Sequence, residues 1–186
     1  MKLIGTLTLF LLLPLALHAQ PLNLDLMAGT LGGESICDLD VDTATDLLGR
    51  PSVVDDRIAS LFIGLDFHDK GVEFTFYTWG GVSATFHMSE KWDADHSKHY
   101  QPFSGSISLG IDGNWKAKKI ESEFSSDSVR VQTPEELKAD LQKNGLYSPN
   151  ITLVYTVIVE LEDHSLSFQH EKVTKFLEIL TVSCLD

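Results

Sequence analysis

Apolar and polar residues alternate through three successive stretches between residues 58 and 88, and glycine-bearing turns separate them. Leu61, Ile63, Leu65 and Phe67 share one face of the first stretch. Val72, Phe74 and Phe76 follow the turn His68-Asp69-Lys70-Gly71, and Val82, Ala84, Phe86 and Met88 follow Trp79-Gly80-Gly81. A period of two broken by such turns predicts a three-stranded antiparallel meander. Ahead of it, residues 42–48 read as a short helix, with Asp40 or Asp42 as N-cap, Gly49 as the stop and Pro51 beyond. Residues 28–38 form a Gly-rich lead-in that fits an edge strand.

The pattern then repeats in coarse outline. Alternation lapses across 89–102 and resumes at 103–111 through Phe103, Ile107, Leu109 and Ile111. Residues 115–124 suit a helix, with Ile120 and Phe124 one turn apart, and also suit a strand. Thr133-Pro134-Glu135-Glu136 is a helix start, with a hydroxyl cap, proline at the first position and glutamate three residues after the cap. Leu137 and Leu141 are the residues expected to face inward on that helix, and Gly145 to stop it. Residues 151–161 are rich in β-branched side chains, Glu162-Asp163-His164-Ser165 makes a turn, Leu166 and Phe168 follow, and 173–182 closes the set.

The expected fold class is therefore α+β: two tandem helix-plus-antiparallel-meander units, mainly antiparallel sheet with a few short helices. The halves fall at about 28–101 and 102–186 of a single domain. Val72-x-Phe74 before Val82-x-x-x-Phe86 is echoed by Leu166-x-Phe168 before Val173-x-x-Phe176, which is the sequence sign of an internal duplication.

Residues 1–19 obey a different rule. Lys2, an apolar run from 7 to 17 and the small-residue site Leu17-His18-Ala19 read as a secretory signal peptide. The run falls short of the roughly 20 apolar residues that span a bilayer. No cysteine sits at the cleavage point to accept a lipid, so the expected product, residues 20–186, is soluble and periplasmic or secreted.

Export changes how charge and cysteine read. The chain carries 14 Lys+Arg against 27 Asp+Glu, a formal net charge of −13, and loss of Lys2 with the leader makes it −14. Such acidity opposes nucleic acid and anionic membranes and favours cationic partners. Solubility alone is the competing explanation. In an oxidising compartment Cys37 and Cys184, at opposite ends of the body, are expected to form one disulfide; two buried free thiols are the alternative.

The helix end Asp46-Leu47-Leu48-Gly49-Arg50-Pro51, the Gly- and Phe-rich meander, and Pro102-Phe103-Ser104-Gly105 opening a strand before a second meander carry a resemblance. The chain resembles a family of small exported bacterial proteins built from paired helix-plus-meander units. More distantly, it is similar in layout to the β-lactamase inhibitor protein. The resemblance covers residues 39–182 and implies binding rather than catalysis, as in immunity proteins that block a toxin or cell-wall hydrolase. The inhibitor repeats carry a cysteine pair inside each unit, whereas here one pair spans the ends, so no contact residue is carried over.

Potential chemistry concentrates in the loop at 89–102, where Trp92, Asp93, Asp95, His96, His99 and Tyr100 follow soon after His87. Imidazole and carboxylate are zinc donors, which makes His96, His99 and Asp93 the metal candidates. Their spacing, D-x-D-H-x-x-H, matches no closed zinc site or metalloprotease helix, so no metal or cofactor is expected. Phe103-Ser104-Gly105-Ser106 lacks the leading glycine of a nucleophile elbow. Asp55-Asp56 and Glu160 with Glu162 fit an exposed strand face as well as an acid–base pair.

What remains is a non-enzymatic reading. Trp79 in its Gly-Gly turn, and Trp92, Asp93, Asp95 and Tyr100 in the loop, are the candidate partner-binding residues, since interfaces favour aromatic anchors within polar surroundings. The expected function is a periplasmic binding or inhibitory protein acting on a cationic toxin or hydrolase by occlusion. The alternatives are a small metal-dependent enzyme or metal carrier using the 93–99 loop, and a structural envelope factor.

Overall fold

The computed structural model describes residues 22–55, 61–92, 99–149, 153–171 and 176–184. The leader, Asp93, Asp95, His96 and the start of the predicted 173–182 strand lie outside these residues. Within them the fold is mixed α+β and its sheets are mostly antiparallel.

Chain order explains the layout. Three short strands, β1 (Asn23–Asp25), β2 (Thr30–Leu31) and β3 (Glu34–Ser35), lead through a 3-10 turn at Ile36–Asp38 into helix α1 (Val41–Leu48). The Asp40 side chain accepts the Thr43 N–H at 2.8 Å, the capping expected of an aspartate there. Strands β4 (Val53–Asp55), β5 (Phe62–Phe67), β6 (Val72–Tyr77) and β7 (Val82–His87) follow. A small ribbon, β8 (Lys91–Trp92) with β9 (His99–Tyr100), comes next, then β10 (Ser106–Ile107) and helix α2 (Ala117–Glu123). The chain continues through β11 (Val129–Gln132), helix α3 (Pro134–Lys143), β12 (Tyr155–Glu160), β13 (Ser165–His170) and β14 (Leu177–Cys184).

One eight-stranded antiparallel sheet dominates, in the order β11-β12-β13-β14-β7-β6-β5-β4. Strands β7 and β14 meet at its centre, with Thr85 opposite Thr181 and Ser83 opposite Ser183. Alternation puts Leu65, Phe74, Val82, Ala84, Phe86, Leu166, Phe168, Leu180 and Val182 on one face, all buried. That face packs against Ala44 and Leu48 of α1, Ala117 and Ile120 of α2, and Leu24, Leu31 and Ile36 of the N-terminal segment. The predicted meander is present as β5, β6 and β7. Its outer end departs from expectation: Leu61 and Ile63 are 47% and 39% exposed.

Other elements differ more. Residues 103–111 hold only the two-residue β10 and a tight turn in which Leu109 takes φ 65°, so alternation there does not make a strand. Residues 115–124 settle as helix α2, whose Phe124 reaches Phe168 at 5.9 Å between ring centroids. Thr133 and Glu136 form the reciprocal capping box on α3. Yet α3 has no fully buried residue, and Leu137 and Leu141 are only half-buried, because the helix lies beyond edge strand β11.

The N-terminal segment straps the two sides of the sheet together. Strand β1 pairs in parallel with β10, the Leu26 N–H donates to Ser108 Oγ at 2.9 Å, and the Leu26 carbonyl accepts from His164 Nε2 at 2.8 Å. Cys37 then joins Cys184 on β14 with 5.2 Å between Cα atoms, the disulfide expected from the sequence. Among the described residues no helix is long and apolar enough to cross a membrane.

One core histidine makes the fold acid-sensitive. His170 is fully buried, donates from Nδ1 to the Phe168 carbonyl at 3.1 Å, and leaves Nε2 without a hydrogen-bond partner. Burial disfavours the imidazolium and lowers its pKa from 6.5. Below 6.5, therefore, the unfolded chain takes the proton before the folded one does, and falling pH favours unfolding. From that value down to the folded pKa, stability is expected to fall by up to about 1.4 kcal/mol per pH unit on this residue's account. Chemical denaturation between pH 7.5 and 5 checks this; His170→Phe should flatten the profile.

Candidate functional site

The face of the large sheet opposite the helices is set by the same alternation. Across its middle, Ser83 and Thr85 of β7 lie beside Thr181 and Ser183 of β14, then Ser165 and Ser167 of β13, with Thr75 of β6 on the other side. Toward one end the face turns ionisable, with His87 on β7, Glu73 on β6 and Asp66 on β5.

The ribbon of β8 and β9 is fastened over that end. Tyr100 stacks on His87 at 4.2 Å between ring centroids and meets His68 edge-on at 4.5 Å. Its hydroxyl donates to Asp66 Oδ2 at 3.2 Å. His87 Nε2 donates to Glu73 Oε1 at 2.7 Å; a carboxylate only accepts, so the proton sits on Nε2. His87 Nδ1 is then buried with no hydrogen-bond partner. His68 Nε2 stands 3.6 Å from Asp66 Oδ2. Burial, with the negative charges of Glu73 and Asp66, drives the Tyr100 phenol far above its ordinary pKa, so it remains a donor.

Backbone bonds complete the anchor. The Gln101 N–H donates to the His68 carbonyl at 2.9 Å and the Phe103 N–H to the His87 carbonyl at 2.7 Å. Tyr100→Phe removes a hydrogen bond to a buried carboxylate, and denaturant unfolding is expected to show a loss of about 1.5–3 kcal/mol.

On β8 of the ribbon, Trp92 stays 52% exposed while its ring stacks on His99 at 4.3 Å. His99 Nε2 in turn donates to Glu90 Oε1 at 2.6 Å. Of the candidate partner-binding residues, the structure places Trp92 outside and Tyr100 inside, only 5% exposed, as the anchor rather than the contact. Trp79 is 61% exposed at the β6–β7 turn, tilted on Tyr77 at 4.9 Å, at the opposite end of β7 from the ribbon. Asp93, Asp95 and His96 lie outside the described residues.

His99, the metal candidate that is described, is engaged by Glu90 and Trp92. Among the described residues no group of three or more His, Cys, Asp or Glu side chains is placed to hold a metal ion. Sequence reasoning missed Asp66, Glu73 and His68. Acidic residues at alternate strand positions read as solvated, and only their register with His87 brings them together. No family model, curated protein or solved structure matches the chain.

Proposed function

We propose that the protein is an exported binding protein that acts by occlusion, with the β8–β9 ribbon as its contact loop and a basic protein as its partner. The observation that supports this most is the contrast within the ribbon: Tyr100 is locked beneath it while Trp92 is held out on His99. A tryptophan fixed in advance loses little conformational entropy on binding, which is how a small loop gains affinity. The net charge of −13 supports a cationic partner. The Cys37–Cys184 disulfide supports an oxidising compartment such as the periplasm.

On this reading the two sides of the sheet are copies of one unit, helix α1 with β4–β7 and helix α2 with β11–β14. Helix α3 is an insertion between β11 and β12 and leaves the strand order unbroken. The strand order, with β7 and β14 adjacent, supports such a duplication, and an immunity-protein-like role is the function proposed for it. Affinity capture from periplasmic extract tests the function. The disulfide-bonded protein is expected to retain a basic protein, and Trp92→Ala to weaken that retention by about 30-fold, the effect of losing a 2 kcal/mol anchor. Capture of an unchanged set of proteins by Trp92→Ala would sink the role given to the ribbon.

A further inference from the structure

The middle of the open sheet face has its own chemistry. Ser83 and Thr85, Thr181 and Ser183, and Ser165 and Ser167 form a patch over three adjacent strands, every position hydroxylated and half-buried. Ser83 Oγ lies 3.2 Å from Ser183 Oγ and Thr85 Oγ1 lies 3.3 Å from Thr181 Oγ1, so the hydroxyls order one another. Across these three strands no charged side chain falls within the patch, and charge enters only at its edges, with Glu73 opposite Thr85 on one side and Glu160 opposite Ser165 on the other. Beyond it on the same face stands Tyr77, with Trp79 tilted against it and largely exposed.

We propose that this patch binds a neutral polysaccharide, with Tyr77 and Trp79 as an aromatic platform beside it. Each hydroxyl both donates and accepts, as the hydroxyls of a sugar do, so either polarity of hydrogen bond can form. Neighbouring strands repeat every 4.8 Å or so, about the scale of one sugar ring, so a chain laid across them meets a fresh hydroxyl pair at each step. A protein partner fits less well. Serine is depleted from protein interfaces, and aromatic anchors cluster at their centres, whereas here serine and threonine hold the centre and the aromatics stand at one end. An anionic ligand would find no positive charge within the patch and would meet Glu73 and Glu160 at its edges. Binding here is independent of the Trp92 ribbon and would keep an exported protein close to an envelope or extracellular polymer.

Cosedimentation of the disulfide-bonded protein with chitin, cellulose and amylose tests the proposal. Retention by at least one is expected, and it should survive 1 M salt because the patch is uncharged. The double substitution Thr85→Val with Thr181→Val keeps shape and strand preference while removing two hydroxyls. It should weaken retention by about tenfold or more with circular dichroism and melting temperature unchanged. Trp92→Ala should bind polysaccharide as the native protein does, which separates this site from the proposed protein contact. Retention by none of the three polymers, loss of retention in salt, or equal retention by the double variant would overturn the assignment.

Discussion

Removal of the Cys37–Cys184 disulfide is expected to cost about 5 kcal/mol of stability, the value the chain-entropy relation gives for residues separated by 147 positions. The figure is an upper bound, since a reduced chain that keeps residual structure loses less. Location argues for the high end. Cys184 ends β14 opposite Val82, in the central pair of the sheet, and Cys37 lies in the 3-10 turn that packs on β7 and β14. The bond thus pins the N-terminal strap to the middle of the sheet. Guanidinium unfolding of Cys37→Ser with Cys184→Ser, against the oxidised protein, reads the loss as a fall in midpoint. A change below about 1 kcal/mol would mean that β1, His164 and Ser108 hold the strap without the covalent link.

The second large effect concerns Gly71, which closes the turn between β5 and β6. Its φ of +66° is left-handed, and a Cβ there would collide with the Gln101 carbonyl oxygen and come within 2.7 Å of the Phe103 nitrogen. Those backbone atoms belong to the segment that fastens the ribbon, and they cannot swing aside as a side chain could. Strain of about 1–2 kcal/mol for the left-handed residue adds to about 1–3 kcal/mol for overpacking. Gly71→Ala should therefore lose about 2–5 kcal/mol in denaturant unfolding and speed hydrogen exchange at the Gln101 and Phe103 amides. Gly49→Ala is the control. Its φ is +86° but, among the described residues and apart from its chain neighbours, no atom lies within 4 Å of the added Cβ, so only the backbone strain applies.

The parts of this fold that could be read from the sequence are those fixed by nearby residues. Strands β6 and β7 show in Val72, Phe74, Val82, Ala84 and Phe86 because alternation and glycine turns are local. The caps at Asp40 and Thr133 show for the same reason. Residues 103–111 misled because their alternation is real while their conformation is set from far away. A Cβ on Gly105 would strike the Leu22 carbonyl, so the segment must pass close to a strand some 80 positions earlier in the chain, near Asn23 and its partner Ser106. Strand β11 was missed although Val129-Arg130-Val131-Gln132 alternates, because four residues beside a serine-rich stretch carry little signal.

The candidate site was half legible. Composition singled out the loop around Trp92 and Tyr100, yet composition does not say which aromatic turns inward. Tyr100 does so because Asp66, Glu73 and His87, from three different strands, converge beneath it. The hydroxyl patch escaped notice for a related reason. Ser83, Thr181 and Ser167 are unremarked one strand at a time, and only strand register makes them neighbours.

The central position of β14 bears on the order in which the protein is made. Synthesis runs from the N-terminus, so β4–β7 emerge while the strand that must pair with β7 is still to come. Until then β7 is a bare sheet edge, the kind that recruits foreign strands. A holding chaperone would guard that edge, and truncations that remove β14 should aggregate rather than leave a smaller folded half.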